Sequence, residues 1–160
     1  MATLRVALED AGCTDVVTYI QSGNVVLTPP RRAPKGLAAW LEKVASNAAG
    51  FAVPVAVRTH AELTRTVARN PYPGASGAQL HVVFFESAPA KDVSVGIDLA
   101  SFAPEDCRLV GKELYLHLPN GMGRAKLPAA LEKAGRAAKY DPGTARNWNT
   151  VLKLVELSSD

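Results

Sequence analysis

The chain has 160 residues, 48% apolar and 21% charged, which is ordinary usage for a folded domain and excludes a disordered, fibrous or disulfide-dense protein. Eighteen Lys and Arg against fifteen Asp and Glu leave a net charge of +3, too small to imply nucleic acid by itself. No stretch approaches the apolar length that spans a bilayer, and Met1-Ala2-Thr3-Leu4-Arg5 lacks the pattern of a signal peptide, so no membrane association is expected. Cys13 and Cys107 are too few and too far apart for a metal motif. They are expected to stay reduced in a cytoplasmic compartment. Abundant alanine and ten Arg against eight Lys fit a GC-rich bacterial genome.

Leu4, Leu8 and Ala11 share a helical face, and Gly12 stands where a C-terminal cap belongs. Residues 16–20 and 24–28 read as strands joined by Gln21-Ser22-Gly23, a hairpin. Pro29 to Pro34 make a loop. Leu37, Trp40, Leu41, Val44 and Ala48 mark the buried face of a helix ending near Gly50. Residues 53–58 read as a strand, and Thr59 with Glu62 as a capping box that opens a helix through Leu63 and Val67. Asn70-Pro71-Tyr72-Pro73-Gly74 then breaks the chain at its midpoint.

Beyond the break, residues 79–86 form an apolar strand and residues 91–100 a weaker, helix-like segment. Residues 107–110 and 113–118 pair across Gly111-Lys112 as a second hairpin. A loop at Asn120-Gly121-Met122-Gly123 leads to a helix over 127–134. After Asp141-Pro142-Gly143, Thr144 is the predicted N-cap of a final helix reaching Leu157.

The two parts echo each other. Each has a hairpin turned at a glycine, Gly23 or Gly111, and then a helix carrying Leu-Glu-Lys, at 41–43 or 131–133. The expected fold is α+β, with two related ferredoxin-like (split β-α-β) halves at 1–70 and 71–160. The second half carries an added C-terminal helix. The first half lacks an opening strand.

Tyr19-Ile20-Gln21-Ser22-Gly23-Asn24-Val25-Val26-Leu27, Asn70-Pro71-Tyr72, Gly121-Met122-Gly123-Arg124-Ala125-Lys126-Leu127 and Thr144-Ala145-Arg146-Asn147-Trp148-Asn149-Thr150-Val151 resemble signatures of the bacterial domain-of-unknown-function family 1697. The resemblance implies a two-part α+β protein with no established activity. Family members usually open with an apolar strand and an Arg-Gly-Ile-Asn-Val-Gly-Gly loop before a methionine that Met1 resembles. The expectation that follows is a reading frame continuing upstream of Met1, or else a shortened member with a bare sheet edge.

On the predicted final helix, Trp148, Val151, Leu152 and Val155 fall on one face and Arg146, Asn149, Thr150 and Lys153 on the other. Asn and Thr are poor helix formers, so their place beside two cations points to a ligand, against the simpler reading of a solvated or half-joining face. Arg124 and Lys126 precede a helix whose free N–H groups suit an anion, although a loop glycine before a helix is often only a turn. Gln21, Ser22 and Asn24 carry the same ambiguity, because Gly23 and Asn24 suit a turn's positive φ. Alternation also puts His81, Val83 and Phe85 on one sheet side and Glu113, Tyr115 and His117 on one side of theirs. If these coincided and were exposed, they would stack bases; burial is the simpler expectation.

His60, His81 and His117 have no metal-ligand spacing, and no nucleophile elbow or Cys–His arrangement is visible. The expected function is non-catalytic binding of an anionic small molecule or nucleotide. Arg124, Lys126, Arg146 and Lys153 would neutralise its charge, and Asn147, Asn149 and Thr150 would orient it. No cofactor or metal is implied. The alternatives are a nucleic-acid-binding module using the sheet aromatics, or an interaction and assembly protein whose polar residues only join the halves.

Overall fold

A computed structural model describes residues 1–21 and 23–159; Ser22, one of the predicted binding residues, lies outside the described residues. Helix α1 (Ala2–Asp10) stops where its sequence says it should. Gly12 at φ +93° lets its own N–H reach the Glu9 carbonyl and the Cys13 N–H reach that of Leu8. Strands β1 (Thr14–Tyr19) and β2 (Asn24–Thr28) pair antiparallel, with Val17 opposite Val26 and Tyr19 opposite Asn24. Helix α2 (Leu37–Ala49) ends on left-handed Gly50. The capping box of α3 (His60–Ala68) is formed on both sides, the Glu62 N–H donating to Thr59 Oγ1 and the Thr59 N–H to Glu62 Oε2.

Strand β3 (Leu80–Phe84) is one of the two inner strands of a four-stranded antiparallel sheet, ordered β4 (Asp106–Val110), β5 (Glu113–His117), β3, β6 (Thr144–Asn147). Helix α4 (Leu127–Ala138) precedes β6, and α5 (Trp148–Ser158) follows it. The fold is thus α+β, with two antiparallel sheets and five α-helices among the described residues.

Register decides which side chains meet. Leu80, Val82, Phe84 and Tyr115 share one face, packed under Leu63 and Val67 of α3 and Trp148 and Val151 of α5. Cys107, Leu114 and Leu116 face the other way, against Leu127 and Leu131 of α4 and the 93–102 segment. A third cluster of Leu8, Cys13, Val16 and Leu41 seats α1 and α2 on the β1–β2 hairpin. Leu80, Val82, Leu118, Leu127 and Val151 are wholly enclosed, each contributing about 1.5–3 kcal/mol of apolar burial. Among the described residues no helix is long and apolar enough to cross a membrane.

Several expectations are corrected. Residues 53–58 alternate like a strand, with Val55 and Val57 in the hairpin cluster and Ala56 in the α3–α5 cluster, but they join no ladder. Residues 91–100 hold turns, with a short 3-10 helix at Leu99–Phe102. The final helix does not start at Thr144. Residues 144–147 are drawn into β3's ladder instead, and Asn147 is the cap. Leu152, placed on the apolar helical face, is exposed, while Thr150, placed on the polar one, is buried. His81 and Tyr115 lie on opposite sheet faces, and both faces are covered, so the aromatics form no open platform.

Candidate functional site

The hairpin signature and the C-terminal signature meet in space. Arg146 pairs with Val82 in register, and its Nε donates to Oδ1 of Asn24 at the start of β2. The same guanidinium donates to Thr144 Oγ1 at 2.8 Å and to the Ala145 carbonyl at 2.7 Å, and burial pulls its pKa below the ordinary value. Asn24 is buried and donates through Nδ2 to the Tyr19 carbonyl, closing the hairpin on itself. Around this joint the other signature residues have local duties. Asn147 Oδ1 accepts the Thr150 N–H at 2.9 Å as the cap of α5. Asn149 lies so close to Gly77 that a Cβ added there would land on its carboxamide. Lys153 donates to Glu156 at 2.6 Å, one helical turn along, and Gln21 is exposed at the hairpin tip.

Arg124 and Lys126 stand elsewhere. They are exposed on the approach to α4, which Glu105 ties to the start of edge strand β4, whereas Arg146 is on the opposite edge strand, β6. The anion seat that the sequence places at this helix start is filled from within. Glu105 accepts the Lys126 N–H at 3.0 Å and the Leu127 N–H at 2.8 Å, as a carboxylate does at a helix N-terminus. The four predicted cations are therefore not gathered around one point.

The structure gathers other cations, ones the sequence reading did not single out. Arg65 in the last turn of α3 and Arg69, its C-cap four residues on, share a cleft of about 200 Å³ with Lys112 of the β4–β5 turn, beside Glu62, Thr66 and Glu113. Glu113 is already held by Arg58, and Lys112 lies 3.7 Å from Glu62. Neither Arg65 nor Arg69 has a side-chain hydrogen bond or ion pair among the described residues. The helical spacing of the two arginines was visible in the chain. Their meeting with Lys112 depends on the sheet passing beneath α3, which no local pattern announces.

A larger cleft of about 390 Å³ carries the opposite charge, with Glu42, Glu86 and Asp141 and no Lys or Arg in its wall. A third polar group sits at the other end of the sheet. The Tyr72 hydroxyl donates to Asp106 at 2.9 Å, its ring stacks on His117 at 5.2 Å, and Arg108 lies 5.7 Å from that ring. Burial first, and then the Asp106 carboxylate, raise the Tyr72 pKa, so this hydroxyl is a donor and not a base at neutral pH. Among the described residues no three His, Cys, Asp or Glu side chains group to hold a metal ion.

Comparison with known proteins matches residues 1–115 to the family described as "Protein of unknown function (DUF1697)". That match runs from α1 through most of β5 and includes the hairpin signature, while the Gly121 and Thr144 segments lie beyond it. No curated protein and no solved structure matches the chain.

Proposed function

The chain belongs to the DUF1697 family, whose description assigns no activity, and from that premise we propose that it is a non-catalytic binding protein taking an anionic group between α3 and the β4–β5 turn. The observation that carries the reading is the convergence of Arg65, Arg69 and Lys112 on one cleft, with the nearest carboxylates partly engaged by Arg58 and Lys112. Two guanidinium forks four residues apart at the end of a helix suit a phosphate or carboxylate better than an uncharged ligand. A space of about 200 Å³ takes a headgroup, with the rest of a nucleotide left outside. The first-proposed cations become structural in this reading, Arg146 as the clamp on Asn24 and Glu105 as the resident anion beside Arg124 and Lys126.

The order β4-β5-β3-β6, all antiparallel, supports a ferredoxin-like second half, although the β3–β4 crossover carries a 3-10 turn where that unit has an α-helix. Two buried free thiols suit a reducing, cytoplasmic setting.

Calorimetric titration with inorganic phosphate and with nucleoside mono-, di- and triphosphates tests the reading. Arg65→Ala, Arg69→Ala and Lys112→Ala should each weaken binding by about tenfold, the scale of one charge-assisted hydrogen bond. Arg124→Ala and Lys153→Ala should leave it unchanged. Equal losses at Arg124 or Lys153, or no binding of any phosphate, would overturn it.

A further inference from the structure

Residues 53–57 have the period of a strand in every respect but the ladder. Val55 and Val57 point into one apolar cluster and Ala56 into another. The N–H groups of alternate residues are held by side chains, Val53 by Ser46 Oγ at 2.9 Å, Val55 by Glu42 Oε2 at 3.4 Å and Val57 by Glu86 Oε2 at 3.3 Å. The last two are longer than an ordinary N–H···O bond, so each carboxylate is a weak stand-in for a backbone carbonyl. Both carboxylates also line the 390 Å³ cleft that runs beside Pro54, Val55 and Ala56, and Asp141, which accepts the Glu86 and Gly143 N–H groups, adds a third negative charge to its wall.

We propose that this edge docks an extended peptide of a partner chain in which cationic and apolar residues alternate, by strand addition to residues 53–57. Peptide carbonyls would take over the Val55 and Val57 N–H groups, which costs little because the bonds displaced are long. Glu42 and Glu86, thus released, would join Asp141 in facing the peptide's ammonium or guanidinium groups. Main-chain bonding would supply affinity, and the alternating charges register and choice of partner. A wall with three carboxylates and no cation repels an acidic strand. This cleft is separate from the cleft of Arg65 and Arg69, so neither assignment depends on the other.

The test is a fluorescence-anisotropy titration of the intact chain with three short labelled peptides at physiological salt. One alternates valine and lysine, a second valine and glutamate, and the third is the valine–lysine peptide with proline at alternate positions. The expected result is saturable one-to-one binding of the first peptide alone. Amide exchange at Val55 and Val57 should slow on its addition. A Glu42→Gln, Glu86→Gln, Asp141→Asn variant with an unchanged melting temperature should bind at least about tenfold more weakly. Equal binding of the proline peptide would show plain charge attraction and overturn strand addition. Equal binding of the glutamate peptide, no binding of the lysine peptide, or sedimentation showing that a second copy of the chain blocks the edge would each overturn it too.

Discussion

Arg58 and Glu113 form an ion pair at 2.8 Å with only 4% and 15% of their side chains exposed, tying the segment before α3 to the first residue of β5. The guanidinium also donates to the Val57 and Phe85 carbonyls and lies 5.4 Å from the Phe84 ring. Arg58 therefore satisfies two carbonyls and one carboxylate away from water. Arg58→Ala should cost about 3–5 kcal/mol in urea denaturation, because it strands Glu113 in a buried site. Arg58→Ala with Glu113→Ala together should cost less than the sum of the two single changes, the mark of direct coupling.

The Arg146–Asn24 joint predicts a stability effect that ignores added anion. Arg146→Ala should lower stability by about 1.5–3 kcal/mol, the range for hydrogen bonds to a charged donor, and phosphate should not change that difference. Trp148→Ala, at the first residue of α5 and 6.5 Å from the Tyr115 ring, should lose about 3–5 kcal/mol through the cavity it leaves. Melting curves with and without phosphate check both.

His81 carries a pH dependence. Its Nδ1 is buried with no hydrogen-bond partner among the described residues, and burial lowers its pKa from the ordinary 6.5. As pH falls through that value, the unfolded chain takes up a proton that the folded chain refuses. Stability is therefore full above this range and declines below it. His81→Leu should flatten the slope between about pH 5 and pH 7, and it removes an orphan worth about 1–3 kcal/mol. Denaturation midpoints across that range give the comparison.

Cys13 and Cys107 are both buried and unpaired. Burial raises the Cys13 thiol; burial, aided by Asp106 and Asp92, pushes Cys107 up to about 11. Little thiolate exists at neutral pH, so iodoacetamide should label neither cysteine in the folded chain and both in denaturant, as read by intact mass.

Both hairpins were legible because Gly23 and Gly111 mark their turns between alternating runs, and the Thr59–Glu62 box announced α3 outright. Strand β6 was not legible. Thr144-Ala145-Arg146-Asn147 carries no apolar alternation and becomes a strand only because β3 offers it an edge. Residues 53–58 show the converse, a strand pattern with no ladder. The candidate site divides in the same way. The signature residues could be read as a set, but the clamp depends on Asn24 meeting Arg146 across more than half the chain, and the contact of Asn149 on Gly77 likewise depends on a distant meeting. The helix start near Lys126 was visible, whereas Glu105 as its occupant was not.

Strand β3 is bordered by β5, which follows it soon in the chain, and by β6, made well after β5 and the latest of the strands among the described residues. A growing polypeptide thus passes through a stage in which Leu80–Phe84 has one neighbour in place and its other edge bare, while Trp148 and Val151 have yet to cover that face. During this interval the apolar strand is open to pairing with another nascent copy. The closing of the sheet is therefore a late step in biosynthesis, and shielding by a chaperone would matter most while residues 144–151 are still to come.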